Sequence, residues 1–195
     1  EIYVLSGTYT NYDKETIHLS GGTMNIEGGD FIGTSCGLKN DGADLYLNAG
    51  TITGEEVGLC APNGRTYANG TSITGGEEGA HVGPGYYQTG SLIVNTSEIT
   101  GGKHGIYMEV SAIGGSSVEV NGGHVEGKNQ DGIKAGVGGL TINGGTIEGK
   151  ENGLSNPYRP GKFACTLYGC SEPSDANVAV PQINGGFIKG GTYGS

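Results

Sequence analysis

The sequence predicts an all-β chain folded as a right-handed parallel β-helix of about seven to eight rungs. Three observations carry that expectation. A phrase of the form apolar-x-apolar-Asn-Gly-Gly-x-apolar-x-Gly recurs along the chain, clearest as Leu140-Thr141-Ile142-Asn143-Gly144-Gly145-Thr146-Ile147-Glu148-Gly149. Within each copy the apolar residues lie two apart, the period of a strand with one face turned inward. Glycine supplies 42 of 195 residues, and no window sustains a 3.6-residue period, so helices are not expected. A unit of this length, repeated, signals a solenoid.

With Asn143 as the reference column, the equivalent positions are Leu5, Glu27, Asn48, Asn69, Asn95, Asn121, Asn143 and Asn184. The final step is nearly twice the others and marks an insertion at 155–180 rather than a lost rung. Three inward columns follow. One holds Val4, Ile26, Leu47, Ala68, Val94, Val120, Ile142 and Ile183. Another holds Tyr9, Phe31, Ile52, Ile73, Ile99, Val125, Ile147 and Ile188. The third holds Leu38, Leu59, Ala80, Ile106, Ile133 and Leu154. Stacking the copies in parallel buries these columns and pairs each backbone with the rungs above and below. The column Gly33, Gly54, Gly75, Gly101, Gly127, Gly149 and Gly190, with Asn11 in the first copy, reads as a bend needing positive φ. The asparagines of the reference column read as an in-register side-chain ladder.

Residues 1–195 read as one domain, because a solenoid has a single continuous core and no linker interrupts the repeat. Net charge is −10, which opposes binding to nucleic acid phosphates. No apolar run is long enough for a membrane span, so membrane insertion is not expected. The chain opens inside a strand at Glu1 rather than at Met, without a leader, and reads as a processed or excised piece. It also begins and ends within a repeat, so open ends predict end-to-end self-association.

Excursions from the repeat at 60–65, 81–91, 107–117 and 155–180 are expected on one side of the stack, the side where such insertions often bind ligands. They carry Arg65, Tyr86, Tyr87, Tyr107, Tyr158 and Arg159, both arginines of the chain among them. Aromatic faces stack on sugar rings, and guanidinium forks hold hydroxyls or carboxylates. These six residues are the candidate glycan contacts.

A second candidate set is acidic: Glu55, Glu56, Glu77 and Glu78. Glu56 and Glu77 share a column in neighbouring rungs, an arrangement that a bridging calcium ion would relieve. Of the four cysteines, Cys165 and Cys170 share the insertion and are candidates for a disulfide. Cys36 and Cys60 occupy different columns of adjacent rungs, which argues against their direct bridge. The four histidines fall in different columns and are expected as separate surface residues.

The pattern NGGTIEG…GL, together with VNGGHVEG…DGIKA at 120–135, resembles right-handed parallel β-helix proteins of the pectate-lyase-like superfamily. Within it the chain is most similar to the Gly-Gly-Thr-Ile-repeat surface proteins of Firmicutes. That resemblance implies a secreted or cell-surface bacterial module that binds a polysaccharide or other glycan, adhesin-like and without catalysis, with calcium in some relatives. It leaves two alternatives: a structural stalk segment of a longer surface protein, and a calcium-dependent pectate-type lyase. The Asn-Thr-Asp, Asp-Asp and Gly-His-Gly motifs of the pectin hydrolases are absent, and Arg159-Pro160-Gly161-Lys162 is the only stretch that imitates a lyase base. The expected function is therefore binding rather than catalysis.

Overall fold

The computed structural model describes residues 1–83, 89–109, 115–136, 138–156 and 181–191. Every strand pairing among them is parallel, as the stacking of the repeat requires. The first turn contributes β1 (Ile2–Val4), β2 (Thr8–Asn11) and β3 (Ile17–Leu19), and the second starts with β4 (Thr23–Ile26) and β5 (Asp30–Gly33). The chain continues through β6 (Cys36–Leu47), β7 (Thr51–Gly54), β8 (Val57–Ala68), β9 (Ser72–Gly75) and β10 (Glu78–Val82). Then come β11 (Ser91–Val94), β12 (Glu98–Gly101), β13 (His104–Met108), β14 (Ser116–Val120), β15 (His124–Gly127) and β16 (Asp131–Lys134). The last are β17 (Gly138–Ile142), β18 (Thr146–Gly149), β19 (Asn152–Ser155), β20 (Gln182–Ile183) and β21 (Phe187–Lys189).

One sheet has eight strands, β2-β5-β7-β9-β12-β15-β18-β21, one for each copy of the repeat. The other has thirteen and consists of two stacks joined through β6 and β8. One stack runs β1-β4-β6-β8-β11-β14-β17-β20; the other runs β3-β6-β8-β10-β13-β16-β19. The fold is thus a three-sided parallel β-solenoid, in agreement with the expected rung count.

The inward columns are those read from the repeat. Leu38 pairs Leu59, Leu59 pairs Ala80, Ala80 pairs Ile106, Ile106 pairs Ile133, and Ile133 pairs Leu154. Phe31, Ile52, Ile73, Ile99, Val125 and Ile147 line the second face, and all are fully buried. Tyr9 stacks on Phe31 at 5.0 Å and covers the core at the first turn. The side-chain ladder forms as expected. Asn69 Nδ2 donates to Asn48 Oδ1, Asn95 to Asn69, Asn121 to Asn95, Asn143 to Asn121 and Asn184 to Asn143, at 2.7–3.0 Å. Glu27 stands at the foot, where only an acceptor is needed, and takes Asn48 Nδ2 at 2.8 Å.

The glycine columns work differently from the expectation. Positive φ falls two residues after the reference, at Gly7, Gly29, Gly50, Gly123, Gly145 and Gly186. The Gly33–Gly54–Gly75–Gly101 column has no positive φ; its reason is steric. A Cβ on Gly54 would overlap the Val57 carbonyl, and one on Gly101 would overlap that of His104, because the chain folds back tightly there. A further column, Gly37, Gly58, Gly79, Gly105, Gly132 and Gly153, lets the backbone pass against the core. A Cβ on Gly58 would stand 2.6 Å from Gly79 O and 2.8 Å from Ile73 Cγ2.

That last column also explains a second correction. Cys36 and Cys60 form a disulfide, with Cα atoms 6.0 Å apart. In register Cys60 pairs Lys39, three residues beyond Cys36. An extended chain would put such positions about 10 Å apart. The chain instead curves around Gly37-Leu38, so residues flanking each Gly-apolar pair point outward and converge. Segment 60–65 is likewise no excursion: β8 runs straight through it.

Candidate functional site

Two outward strips of the thirteen-stranded sheet flank the line through Gly83, Glu109 and Asn156. Each is built from a column pair fixed by the repeat.

The first strip lies on β8, β11, β14 and β17. Its outward positions in register are Arg65, Ser91, Ser117 and Gly139, and, two residues on, Tyr67, Ile93, Glu119 and Thr141. They line an open groove of about 400 Å³. Arg65 is set there by its backbone. Gly64 adopts φ 75°, and the wholly buried Asn40 Nδ2 donates to Arg65 O at 3.0 Å and Thr66 Oγ1 at 3.0 Å. The guanidinium forms no ion pair among the described residues. Tyr46 covers one face of the Tyr67 ring, at 4.7 Å and 4° between planes, and Tyr67 closes one end of the groove. Ser117 Oγ donates to Ser91 Oγ at 3.0 Å, and Glu119 Oε1 accepts from Asn143 Nδ2 at 3.2 Å. The groove thus offers an aromatic ring, an unpaired cation, three hydroxyls and one carboxylate.

The second strip lies on β10, β13, β16 and β19, where the convergence around Gly-apolar pairs brings titratable side chains together. His81 Nδ1 lies 2.7 Å from Glu78 Oε2, a close ion-pair contact rather than an in-line hydrogen bond. Its Nε2 lies 3.1 Å from Glu109 Oε2. Burial opposes the charge on His81, but the close contacts and fields of Glu109 and Glu78 outweigh it and raise the pKa to about 9. His104 has the opposite fate. Burial first, then the charge of Lys134, lowers its pKa, although Asp131 Oδ2 lies 3.5 Å from Nδ1. Asp131 is already occupied, accepting from Asn152 Nδ2 at 2.8 Å and Ser155 Oγ at 2.6 Å. Tyr107 sits at the centre. The His81 ring meets it edge-on at 4.9 Å, His104 stacks at 5.7 Å, and Lys134 Nζ lies 5.2 Å from the ring centroid. Burial raises the pKa of its hydroxyl.

The sequence-predicted residues are distributed as follows. Arg65 lines the groove, while Tyr107 lies in the second strip with its ring engaged by protein. Tyr86, Tyr87, Tyr158, Arg159, Cys165 and Cys170 lie outside the described residues. Glu55 and Glu56 are exposed at the corner between sheets. Glu77 is held by Lys103 at 2.6 Å, and Glu78 by His81. Among the described residues no three His, Cys, Asp or Glu side chains converge as metal ligands. Glu78 and Glu109 face opposite nitrogens of His81, so these three do not share one ion.

Sequence reasoning missed Tyr46 and Tyr67, although their common column was visible 21 residues apart. It also separated His81 from His104. Their columns do differ, but they are the two columns that converge, and His104 is only 5% exposed.

The architecture defines the class of protein: a disulfide-bridged parallel β-solenoid with a polar, grooved outer face. No protein-family model, curated protein or solved structure matches the chain.

Proposed function

We propose that this protein is a secreted or cell-surface carbohydrate-binding module, adhesin-like and without catalysis, akin to the Gly-Gly-Thr-Ile-repeat surface proteins of Firmicutes. The observation that carries the reading is the groove over β8, β11, β14 and β17. It is open along the stack, so an extended polymer can lie in it, and its groups recur at the rung spacing of about 4.8 Å. That repeat approximates the length of a pyranose ring with its linkage. The Tyr67 ring gives a sugar an apolar platform, while Ser91, Ser117, Thr141 and Glu119 offer hydroxyl partners. Arg65 brings a guanidinium to the same wall. The disulfide suits an oxidising compartment. Tyr86, Tyr87, Tyr158 and Arg159 enter the proposal by their chemistry alone, as rings that stack on sugars and a guanidinium that holds hydroxyls or carboxylates.

The test is a glycan array followed by Tyr67→Ala and Arg65→Ala. Both variants should keep the fold and lose at least about tenfold in affinity for the best ligand, as hot-spot truncations do. Unchanged binding in both would reject this groove. Calcium enters the reading only as a bridge near Glu56 and Glu77. Calorimetry with Ca²⁺ tests it, and heat with a raised melting temperature would support it.

The second reading is a stalk segment that associates end to end. It is favoured by the exposure of Ile2, Leu5, Ile183 and Phe187 at the two ends of the described stack. Sedimentation across a concentration series separates it from a monomeric binding module.

A further inference from the structure

On the opposite side from the groove, the outer corner of the eight-stranded sheet holds a cleft of about 270 Å³. Lys128, Lys150 and Lys189 line it, with Glu126 and Glu148 on one wall. They are three of the seven lysines among the described residues, gathered in a chain of net charge −10. Their partners differ. Lys189 Nζ reaches Glu148 Oε1 only at 3.7 Å, whereas Lys103, three turns earlier, binds Glu77 at 2.6 Å. Lys128 and Lys150 make no ion pair among the described residues.

The two unpaired lysines also stack. Lys128 N binds Gly101 O and Lys150 N binds Gly127 O, so they occupy the same position in successive turns. Like charges one rung apart, about 4.8 Å at the backbone, repel each other. The glycine column beside them, Gly127, Gly149 and Gly190, carries no side chains and keeps the cleft open to its floor. The adjacent wall has its own stacked pair, Glu126 opposite Glu148.

We propose that this cleft is a binding site for a compact dianionic oxyanion, a phosphate or sulfate group, carried on a polyhydroxylated molecule. One group with several oxygens and a charge near −2 bridges Lys128 and Lys150 and relieves their repulsion. Lysine serves such groups as a point charge and needs no planar fork. Glu126 and Glu148 accept hydroxyls of the sugar or polyol bearing the ester. The same carboxylates repel a continuous polyanion, so the site selects a single anionic group rather than nucleic acid or a polyuronate. The proposal is independent of the glycan groove, which lies on the other sheet.

The test titrates ¹⁵N-labelled full chain with inorganic phosphate, sodium sulfate, glycerol phosphate and glycerol, at low ionic strength. Glycerol phosphate should shift amides around Lys128, Lys150 and Gly191 with millimolar affinity, and glycerol should not. Phosphate and sulfate arms distinguish the two kinds of ester by their relative affinities. Lys128→Gln/Lys150→Gln should weaken binding at least about tenfold with an unchanged melting temperature, since both side chains are exposed. Amides that do not move with any of the anions, or a double variant that binds as the parent does, would overturn the proposal.

Discussion

Replacing Asn95 by Ala removes the middle of the asparagine ladder. Asn95 Nδ2 donates to Asn69 Oδ1 at 2.7 Å, and Asn95 Oδ1 accepts from Asn121 Nδ2 at 3.0 Å. Two bonds are lost, and an acceptor and a donor lose their partners at a half-buried corner. At roughly 1 kcal/mol net per bond, the cost is about 2 kcal/mol. For a chain of this size that corresponds to a fall in melting temperature of about 4–8 °C. Asn184→Ala is the internal control, because it breaks a single exposed bond to Asn143 and should cost less than half as much. Asn95→Asp should be worse than Ala. Its carboxylate still accepts from Asn121 but faces Asn69 Oδ1 with no proton to give. Glu27 is tolerated only because the foot of the ladder needs no donor. Urea unfolding of the three variants, with the slope held constant, measures these costs. Equal, small losses for Asn95→Ala and Asn184→Ala would refute the ladder as a source of stability.

Three further predictions follow from the same construction. Gly79→Ala should cost about 1–3 kcal/mol or prevent folding, because the new Cβ would stand 2.6 Å from Gly105 O and 2.7 Å from Ile99 Cγ2. Gly21→Ala, with nothing within 4 Å, should leave thermal unfolding unchanged. Reducing Cys36–Cys60, which closes a separation of 24 residues, should lower stability by about 3 kcal/mol; denatured, unreduced protein should show both thiols blocked by mass mapping. The pH dependence carries the two histidines with opposite signs. His81 has a folded pKa of about 9, above its ordinary 6.5, so its contribution is complete below pH 6.5 and is lost as pH rises through 9. That contribution is on the order of 3 kcal/mol. His104 is held neutral, so stability falls as pH drops below 6.5 and the unfolded chain takes up a proton that the fold resists. His81→Gln should flatten the alkaline limb alone; an unaltered limb would show that the Glu78 and Glu109 contacts are not energetically coupled to it.

Most of the scaffold was legible because each rung repeats the same solution. A period-two apolar pattern with a constant step forces parallel stacking, so the inward columns from Val4 to Ile183 and from Tyr9 to Ile188 could be drawn before any coordinate. The asparagine ladder was legible for the same reason. What a linear pattern hides is curvature within a rung. Spacing alone placed Cys36 and Cys60 in separate columns, and likewise His81 and His104. The bend around Gly-apolar pairs joins those columns, and nothing in a column count reports it. The glycines mislead similarly: composition shows where a side chain is refused, not whether φ or a neighbouring carbonyl refuses it. The site was half visible. Arg65 was found because the sequence placed it in an excursion that β8 does not make, whereas Tyr67 was overlooked because it reads as an ordinary outward strand residue.

The most direct test of the account maps where a bound oligosaccharide touches the solenoid. The best ligand from the glycan array is titrated into ¹⁵N-labelled protein and amide shifts are recorded. The account predicts that the largest changes fall at Arg65 and Tyr67, Ser91 and Ile93, and Ser117 and Glu119, in three consecutive turns of one face. Changes confined to the eight-stranded sheet, or to the ends of the stack, would contradict it.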